Sequence, residues 1–139
     1  MGVRTLRERV KSQGESDVVD ITALAAGAVT RSGLRDGILN VFVPGATAGV
    51  TTIEYESGAV QDLRAAIERL APKTIPYDHD RRWGDGNGYS HVRAALLKPG
   101  LAVPFQDGRL LLGTWQQIIL IDFDNRPRTR DLIFQIVGE

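Results

Sequence analysis

The amino-acid sequence predicts a single α+β domain over residues 1–139, with an antiparallel β-rich core and two to three short helices. The length of 139 residues lies within the usual range for one domain. Strand-like segments dominate, and the helical segments are inserted between them instead of alternating with them, unlike the pattern of a parallel α/β sheet. No internal repeat, linker or low-complexity tract divides the chain.

The first half of the chain contains four predicted strands and one helix. The strands are expected at residues 3–11, 18–21, 38–43 and 51–56. In the last of these, Glu54 and Glu56 would share one face, because alternate side chains of a strand point to the same side. The helix runs from Thr22, a suitable N-cap residue, to Ser32, and Gly33 follows where a helix stop is expected.

The second half begins with the most regular helical pattern, in which Ser57 is the expected N-cap and Pro72 ends the helix. A loop of about twenty residues follows, which is far longer than the usual connection of ~4–6 residues. A short helix is predicted at 90–97, and then a hairpin at 101–112. Two final strands, at 115–123 and 132–137, are expected to pair with each other.

Composition excludes several classes of function. The chain has 17 basic and 17 acidic residues, so it lacks the basic excess that is typical of nucleic-acid binders. The absence of cysteine excludes disulfides, thiolate metal sites and cysteine nucleophiles. No apolar run approaches the ~20 residues of a membrane span, and the N-terminus carries charges where a signal peptide needs apolar residues. We therefore expect a cytoplasmic protein without a nucleic-acid or membrane partner.

The long loop carries most of the residues that could perform chemistry. It contains both histidines of the chain, His79 and His91, together with Asp85. Its alternating glycines, in the segment Gly86-Asn87-Gly88, let backbone amides approach a ligand. The helix that follows presents a positive N-terminal end, which suits phosphate or carboxylate. A turn-rich structural loop is an equally plausible interpretation of this composition, and neither the EF-hand nor the dinucleotide-binding pattern fits it.

Metal binding is a second hypothesis for the same loop. His91, His79, Asp85 and Glu54 offer imidazole and carboxylate donors, which suit Zn²⁺ or Mg²⁺. The two histidines are twelve residues apart and follow no fixed ligand spacing. An imidazole at a helix start is otherwise a capping or core-edge group, and Glu54 with Glu56 is otherwise a solvated polar face.

Several segments spread over the chain form a recognisable set: Asp36-Gly37-Ile38, Thr47-Ala48-Gly49-Val50, Ile53-Glu54, Asp85-Gly86-Asn87, His91-Val92-Arg93, Asp107-Gly108-Arg109-Leu110, Leu112-Gly113-Thr114-Trp115-Gln116, Arg126-Pro127-Arg128 and Gln135-Ile136-Val137-Gly138-Glu139. Together these segments resemble the YjbQ-like family, also described as secondary thiamine-phosphate synthase-type proteins. The segment from Gly113 to Gln116 is the most specific of them. The resemblance covers nearly the whole chain.

The resemblance implies a homotrimer that joins a pyrimidine diphosphate to a thiazole phosphate and releases diphosphate. The site must then neutralise developing negative charge, so a small phosphorylated molecule is the expected ligand. We expect His91, Glu54 and Asp85 to be the catalytic residues. Candidate contacts to the anion are Gly86, Asn87, Gly88, Arg93, Arg109, Thr114 and Gln116. A divalent metal, Zn²⁺ or Mg²⁺, would assist them.

The chain departs from the family at two histidine positions, which carry Gly45 and Tyr89 here. A site with three histidines cannot form within one subunit, since only two histidines exist, and we expect synthase activity to be weak or altered. Two other interpretations remain. One is a non-catalytic trimer that binds a metal or a phosphorylated metabolite, and the other is a structural protein without a ligand site.

Overall fold

The computed structural model describes residues 1–139 and confirms the α+β class. It contains eight strands and four helices. The strands are β1 Gly2–Ser12, β2 Asp17–Asp20, β3 Gly37–Phe42, β4 Ala48–Ile53, β5 Gly100–Gln106, β6 Arg109–Leu110, β7 Gln117–Asp122 and β8 Arg128–Gly138. The helices are α1 Thr22–Ser32, α2 Ser57–Leu70, α3 Asp78–Trp83 and α4 Gly88–Leu97.

The strands form two antiparallel sheets. The larger sheet has the order β1-β8-β3-β5-β6, and the smaller sheet has the order β2-β7-β4. The strand predicted at residues 3–11 is confirmed, and it lies at the edge of the larger sheet, since β1 pairs only with β8. The expected pairing of the last two strands is wrong. β7 is the central strand of the smaller sheet, whereas β8 lies between β1 and β3 in the larger one.

Strand β7 explains how the two sheets and the helices are layered. Its residues from Ile118 to Ile121 are completely buried, because both faces of the smaller sheet are covered. One face packs with α1 against the larger sheet and forms the main core, which includes Leu39, Phe134 and Ile136. The other face packs against α2 and α4, where Val60, Ile67 and Ala94 contribute to a second cluster.

The outer face of the larger sheet is uncovered in this chain. Val3, Val137 and Ile38 lie in register on the neighbouring strands β1, β8 and β3. These side chains are 55%, 41% and 53% exposed, and Phe42, further along β3, is 39% exposed. A group of neighbouring exposed apolar side chains on a sheet commonly marks a surface that another protein covers.

The end of β4 and the start of α2 differ from the sequence prediction. Strand β4 spans Ala48–Ile53, so Glu54 and Glu56 lie beyond it and do not share a strand face. Glu56, not Ser57, is the N-cap of α2, and its carboxylate accepts hydrogen bonds from the N–H groups of Gly58 and Ala59 at 2.7 and 2.8 Å. These N–H groups, that of Ala59 first, hold the pKa of Glu56 below its ordinary value.

Helix α1 has the predicted bounds, and Gly33 ends it in the left-handed conformation at φ 73°. The predicted cap is wrong, because Ile21 is the N-cap and Thr22 is the first helical residue. The Thr22 hydroxyl instead donates to Asp20 at 2.6 Å and accepts from the N–H of Ile118 at 2.9 Å. Thr22 therefore ties the start of the helix to β2 and β7.

The long connection after α2 is not a loop throughout, because it contains α3 and the start of α4. Gly84 ends α3 in the left-handed conformation at φ 73°. Asp78 and Asp80 lie in the first turn of α3, and Arg81 and Arg82 lie in the last, which is the arrangement that the helix dipole favours. None of the four helices has the length and apolar character needed to span a membrane.

Candidate functional site

Helix α3 and the turn after it bring three metal-ligating side chains together. His79 Nδ1 lies 3.4 Å from Asp80 Oδ1 and 3.5 Å from Asp85 Oδ1. One ligand atom from each of the three residues lies within 4.8 Å of the other two. The left-handed Gly84 reverses the chain between α3 and Asp85, which returns the Asp85 carboxylate to the helix. We call His79, Asp80 and Asp85 the triad.

The two distances from His79 Nδ1 to the carboxylate oxygens match the spacing of ligands around a small divalent ion. Bonds of ~2.0–2.2 Å in a tetrahedral shell place neighbouring donor atoms about 3.4 Å apart. A residue outside the triad also fixes the Asp80 carboxylate, since its Oδ1 accepts a hydrogen bond from the N–H of Gly88 at 2.8 Å. The side chains of His79, Asp80 and Asp85 are 27%, 30% and 54% exposed, so an ion and a further ligand have access.

His91 lies beside the triad without being one of its three residues. Its ring centroid is 4.3 Å from that of His79, with an angle of 37° between the planes. On another side, His91 lines a pocket of 200 Å³ with small side chains and glycine: Gly45, Ala46, Ala48, Ala94, Ala95 and Pro99. We call this the Gly45 pocket. His91 therefore connects the triad with a neighbouring space for a ligand.

A buried ionic network, which the sequence interpretation missed, lies behind this region. The guanidinium of Arg130 donates to both carboxylate oxygens of Asp122 at 2.7 and 2.8 Å, and to Thr47 Oγ1 at 2.7 Å. Arg128 donates to Asp124 at 2.7 Å. Burial alone would raise the pKa of the Asp122 carboxyl, but hydrogen bonds from Arg130 and Ser12 keep it below its ordinary value.

The network fixes the segments that form the site. Asp124 accepts from Asn87 Nδ2 and from Thr47 Oγ1, both at 3.2 Å, so one carboxylate holds the turn before α4 and the loop before β4. The same contacts, after the opposing effect of burial, lower the pKa of Asp124. Asn87 Oδ1 is buried and has no hydrogen-bond partner. The sequence signal for this network is a pair of acidic residues at the end of an apolar strand, Asp122 and Asp124, followed by two arginines at alternate positions of the next strand.

Glu54 does not join His91 within one chain. Ala48, at the start of β4, lines the Gly45 pocket, whereas Glu54 follows the end of β4. At ~3.3 Å per residue, six residues correspond to about 20 Å. Glu54 instead lines a cleft of 510 Å³ with Thr114, Trp115, Gln117 and neighbouring residues, where Trp115 is 73% exposed.

The other predicted anion contacts are divided between the interior and the surface. The guanidinium of Arg93 is buried and donates to Ala71 O at 3.0 Å, Ser16 Oγ at 3.2 Å and the carboxylate of Glu68. Arg93 is thus used within the protein. Gly86 is exposed and Gly88 is buried at the start of α4, next to the triad.

Two polar candidates lie near the Glu54 cleft, and a third lies elsewhere. Gln116 donates to Thr52 Oγ1 at 3.2 Å and accepts from the N–H of Gly113 at 3.0 Å. Thr114 lines the cleft itself. Arg109 is exposed on β6, the outer strand of the larger sheet. The structure therefore groups His79, His91, Asp85, Asn87 and Gly88 in one place and separates them from Glu54, Thr114, Gln116 and Arg109.

Comparison with known proteins identifies the family. The family described as "UPF0047 protein YjbQ-like" matches residues 7–139. This chain belongs to the YjbQ-like UPF0047 family. A UPF0047 protein of Methanothermobacter thermautotrophicus is 34% identical over 139 residues, which are 100% of this chain and 95% of that protein. One from Mycobacterium bovis is 40% identical over 119 residues, covering 84% of this chain and 90% of the relative.

Solved structures of YjbQ-like proteins have the same fold as this chain. A YbjQ-like protein of unknown function from Sulfolobus solfataricus superposes with a TM-score of 0.90 at 27% identity, over 99% of this chain and 100% of that one. A YjbQ/UPF0047 protein of Clostridium acetobutylicum gives a TM-score of 0.86 at 31% identity, over 95% and 99%. The names of these relatives state no reaction.

Proposed function

We propose that this YjbQ-like chain binds a divalent cation through the triad and a small phosphorylated molecule next to it. The observation that supports the cation is the spacing of the donors, with His79 Nδ1 3.4 and 3.5 Å from the carboxylate oxygens of Asp80 and Asp85. Three protein donors with an open side are typical of zinc sites that act on a ligand. A bound cation would supply positive charge for phosphate oxygens.

The protein groups around the triad suit a phosphate. The N–H groups of Gly86 and Asn87 offer donors just before the positive end of the ten-residue helix α4, whose first N–H, that of Gly88, is bonded to Asp80. His91 stands beside His79, and an imidazole at this place is a group that can carry a proton to or from a ligand. Binding of phosphate and movement of a proton by His91 are the two steps that these residues support.

Within this class, we propose the synthase-type transfer that the family resemblance implies, in which a pyrimidine diphosphate and a thiazole phosphate are joined. The diphosphate leaves with the electron pair of the bond that breaks, so donors must face it as its charge develops. The separation of Glu54 from His91 instead favours a second candidate, a binder of phosphorylated metabolites without turnover. Release of diphosphate from the two substrates separates the candidates, since only the transferase produces it.

The triad is tested by measuring zinc binding to the purified protein by titration calorimetry. We expect His79→Ala and Asp85→Asn to weaken zinc binding at least tenfold, because each removes one of three donors. Asp78→Asn is the matched control, since Asp78 lies on the same helix with its side chain 95% exposed and pairs with Arg81 instead of the triad. Equal zinc affinity in His79→Ala and Asp78→Asn would exclude the triad as the metal site.

We also propose that the chain forms a homotrimer through the uncovered face of the larger sheet. The adjacent exposed side chains of Val3, Val137 and Ile38 support this, as does the zero formal net charge, which leaves little repulsion between copies. Light scattering should give three times the chain mass, and Ile38→Lys should reduce it while Gln61→Lys, on the exposed side of α2, should not. A monomer mass for the wild type at micromolar concentration would rule out the trimer.

A further inference from the structure

The loop between β3 and β4, residues 43–47, has backbone donors without acceptors. The N–H groups of Gly45, Ala46 and Thr47 donate no hydrogen bond within the chain. Gly45 and Ala46 are exposed, and both line the Gly45 pocket with His91. Successive free N–H groups in a turn suit the oxygens of an anion.

The side chain of Arg130 provides an independent observation at the same place. This side chain is only 5% exposed, and its Nε and Nη2 are bonded to Asp122 and Thr47. Its Nη1 has no hydrogen-bond partner in the chain, although a guanidinium carries five N–H donors. Nη1 still reaches the surface, since Asn87 Oδ1 is the one buried side-chain atom without a partner, so Nη1 can donate to an acceptor from outside the chain.

Gly45 is the residue that leaves Nη1 accessible. A Cβ atom at this position would lie 3.2 Å from Nη1 of Arg130, and the φ angle of 113° also disfavours any side chain there. Gly45 therefore lies next to the free end of Arg130 and, with Ala46, also lines the 200 Å³ pocket. The carboxylates nearest to Arg130, Asp122 and Asp124, are engaged within the network.

We infer that the amides of Gly45, Ala46 and Thr47 with Nη1 of Arg130 form an oxyanion site, and that it holds the phosphate group of a phosphate monoester beside His91. Four donor groups suit the several oxygens of a phosphate better than the two oxygens of a carboxylate. This inference rests on the proposed function for the ligand class, but it assigns the phosphate to the Gly45 pocket instead of the turn at Gly86.

The test uses the full chain freed of metal with a chelator and titrated with inorganic phosphate, and with acetate in a parallel series. Proton–nitrogen NMR spectra should show saturable shifts of the amides of residues 45–47 and of the Arg130 side chain. Ala46→Asp places a negative charge in the pocket and should weaken phosphate binding at least tenfold, since like charges repel. Ala65→Asp, which adds the same charge on the exposed side of α2, should change it less than twofold.

The outcomes also separate this inference from the triad. If phosphate still shifts the amide signals of residues 45–47 in a protein that cannot bind zinc, this would support the oxyanion site. It would also show that the triad by itself does not account for phosphate binding. Phosphate binding that requires zinc, or that shifts residues 86–88 and not 45–47, would overturn the oxyanion site and leave the triad standing. Acetate binding as tight as phosphate binding, or Ala46→Asp behaving like Ala65→Asp, would also overturn the assignment.

Discussion

Replacing Arg130 by methionine should destabilise the fold by removing one partner of a buried ion pair. The Asp122 side chain is fully buried, and it accepts four hydrogen bonds. Two come from Arg130, at 2.7 and 2.8 Å, one from Ser12 at 2.6 Å and one from the N–H of Asp124 at 3.1 Å. Arg130→Met retains the apolar stem but leaves the carboxylate with two donors and no cation.

Two estimates of the cost agree. Removing one partner of a buried ion pair costs about 3–5 kcal/mol, because the other charge stays buried without compensation. Two hydrogen bonds to a charged group, at about 1.5–3 kcal/mol each, give a similar sum. Since a domain has a free energy of unfolding of about 5–15 kcal/mol, the variant should fold and unfold at a much lower urea concentration.

Urea unfolding followed by circular dichroism measures this cost, and two further variants test its origin. Arg9→Met is the control, since Arg9 pairs with Asp131 at 3.3 Å but is 80% exposed, so its loss should cost at most about 1 kcal/mol. The double variant Asp122→Leu with Arg130→Met removes both charges and should recover at least half of the lost free energy. If Arg130→Met were no more costly than Arg9→Met, the network would not stabilise the fold.

Three further predictions concern stability and use the same unfolding assay. The lowered pKa values of Asp122 and Asp124 contribute stability that is complete above their pKa of ~4 in the unfolded chain and is lost as the pH falls through their pKa values in the folded chain. The free energy of unfolding should therefore fall below about pH 4, and it should fall less steeply in Asp122→Asn. Gly14→Ala should cost more than Gly84→Ala, because both have φ near 74° but only at Gly14 would a Cβ lie 2.3 Å from a carbonyl oxygen. Ser90→Ala should cost about 1–3 kcal/mol, since it leaves a buried carbonyl without its donor.

The sequence predicts the elements with strong local signals and fails where long-range pairing decides. Helix α1 has the predicted bounds, because Gly33 gives a local stop that the structure confirms. The partner of β7 was predicted wrongly, since nothing in the apolar run at 118–121 distinguishes a strand of one sheet from a strand of the other. The sequence does not predict helix α3, because the first five of its six residues are aspartate, histidine or arginine and the segment shows no apolar periodicity.

The candidate site shows the same division. His79 and Asp85 are both candidate metal ligands in the sequence, and the short stretch of chain between them allows His79 Nδ1 to lie 3.5 Å from Asp85 Oδ1. Asp80 is not among the predicted metal ligands, although it is the neighbour of His79 in the sequence. Arg130 and Thr47 are 83 positions apart, so only the tertiary fold brings them into contact. Arg93 is buried, so its guanidinium bonds to groups within the protein. The sequence does not show this burial, and an exposed arginine could instead have bound an anion.

A histidine restored at position 89, one of the two that the family resemblance implies, should not join His91 and a histidine at position 45 in one metal site. Positions 89 and 91 lie two residues apart on α4, about 200° around the helix. The Tyr89 side chain is accordingly buried on another side, where its hydroxyl donates to Glu15 at 2.9 Å and the guanidinium of Arg93 lies 4.9 Å from its ring. His91 instead faces His79 and the Gly45 pocket.

The variants Gly45→His, Tyr89→His and their combination test this expectation by zinc titration and urea unfolding. Tyr89→His should lower the free energy of unfolding, because it removes a large buried ring and its hydrogen bond to Glu15, and should leave zinc affinity within about twofold of the wild type. The double variant should bind zinc no more tightly than Gly45→His. Tighter zinc binding by the double variant than by either single variant would show that a histidine at position 89 reaches the metal. The buried orientation of Tyr89 would then not apply to a histidine at the same position.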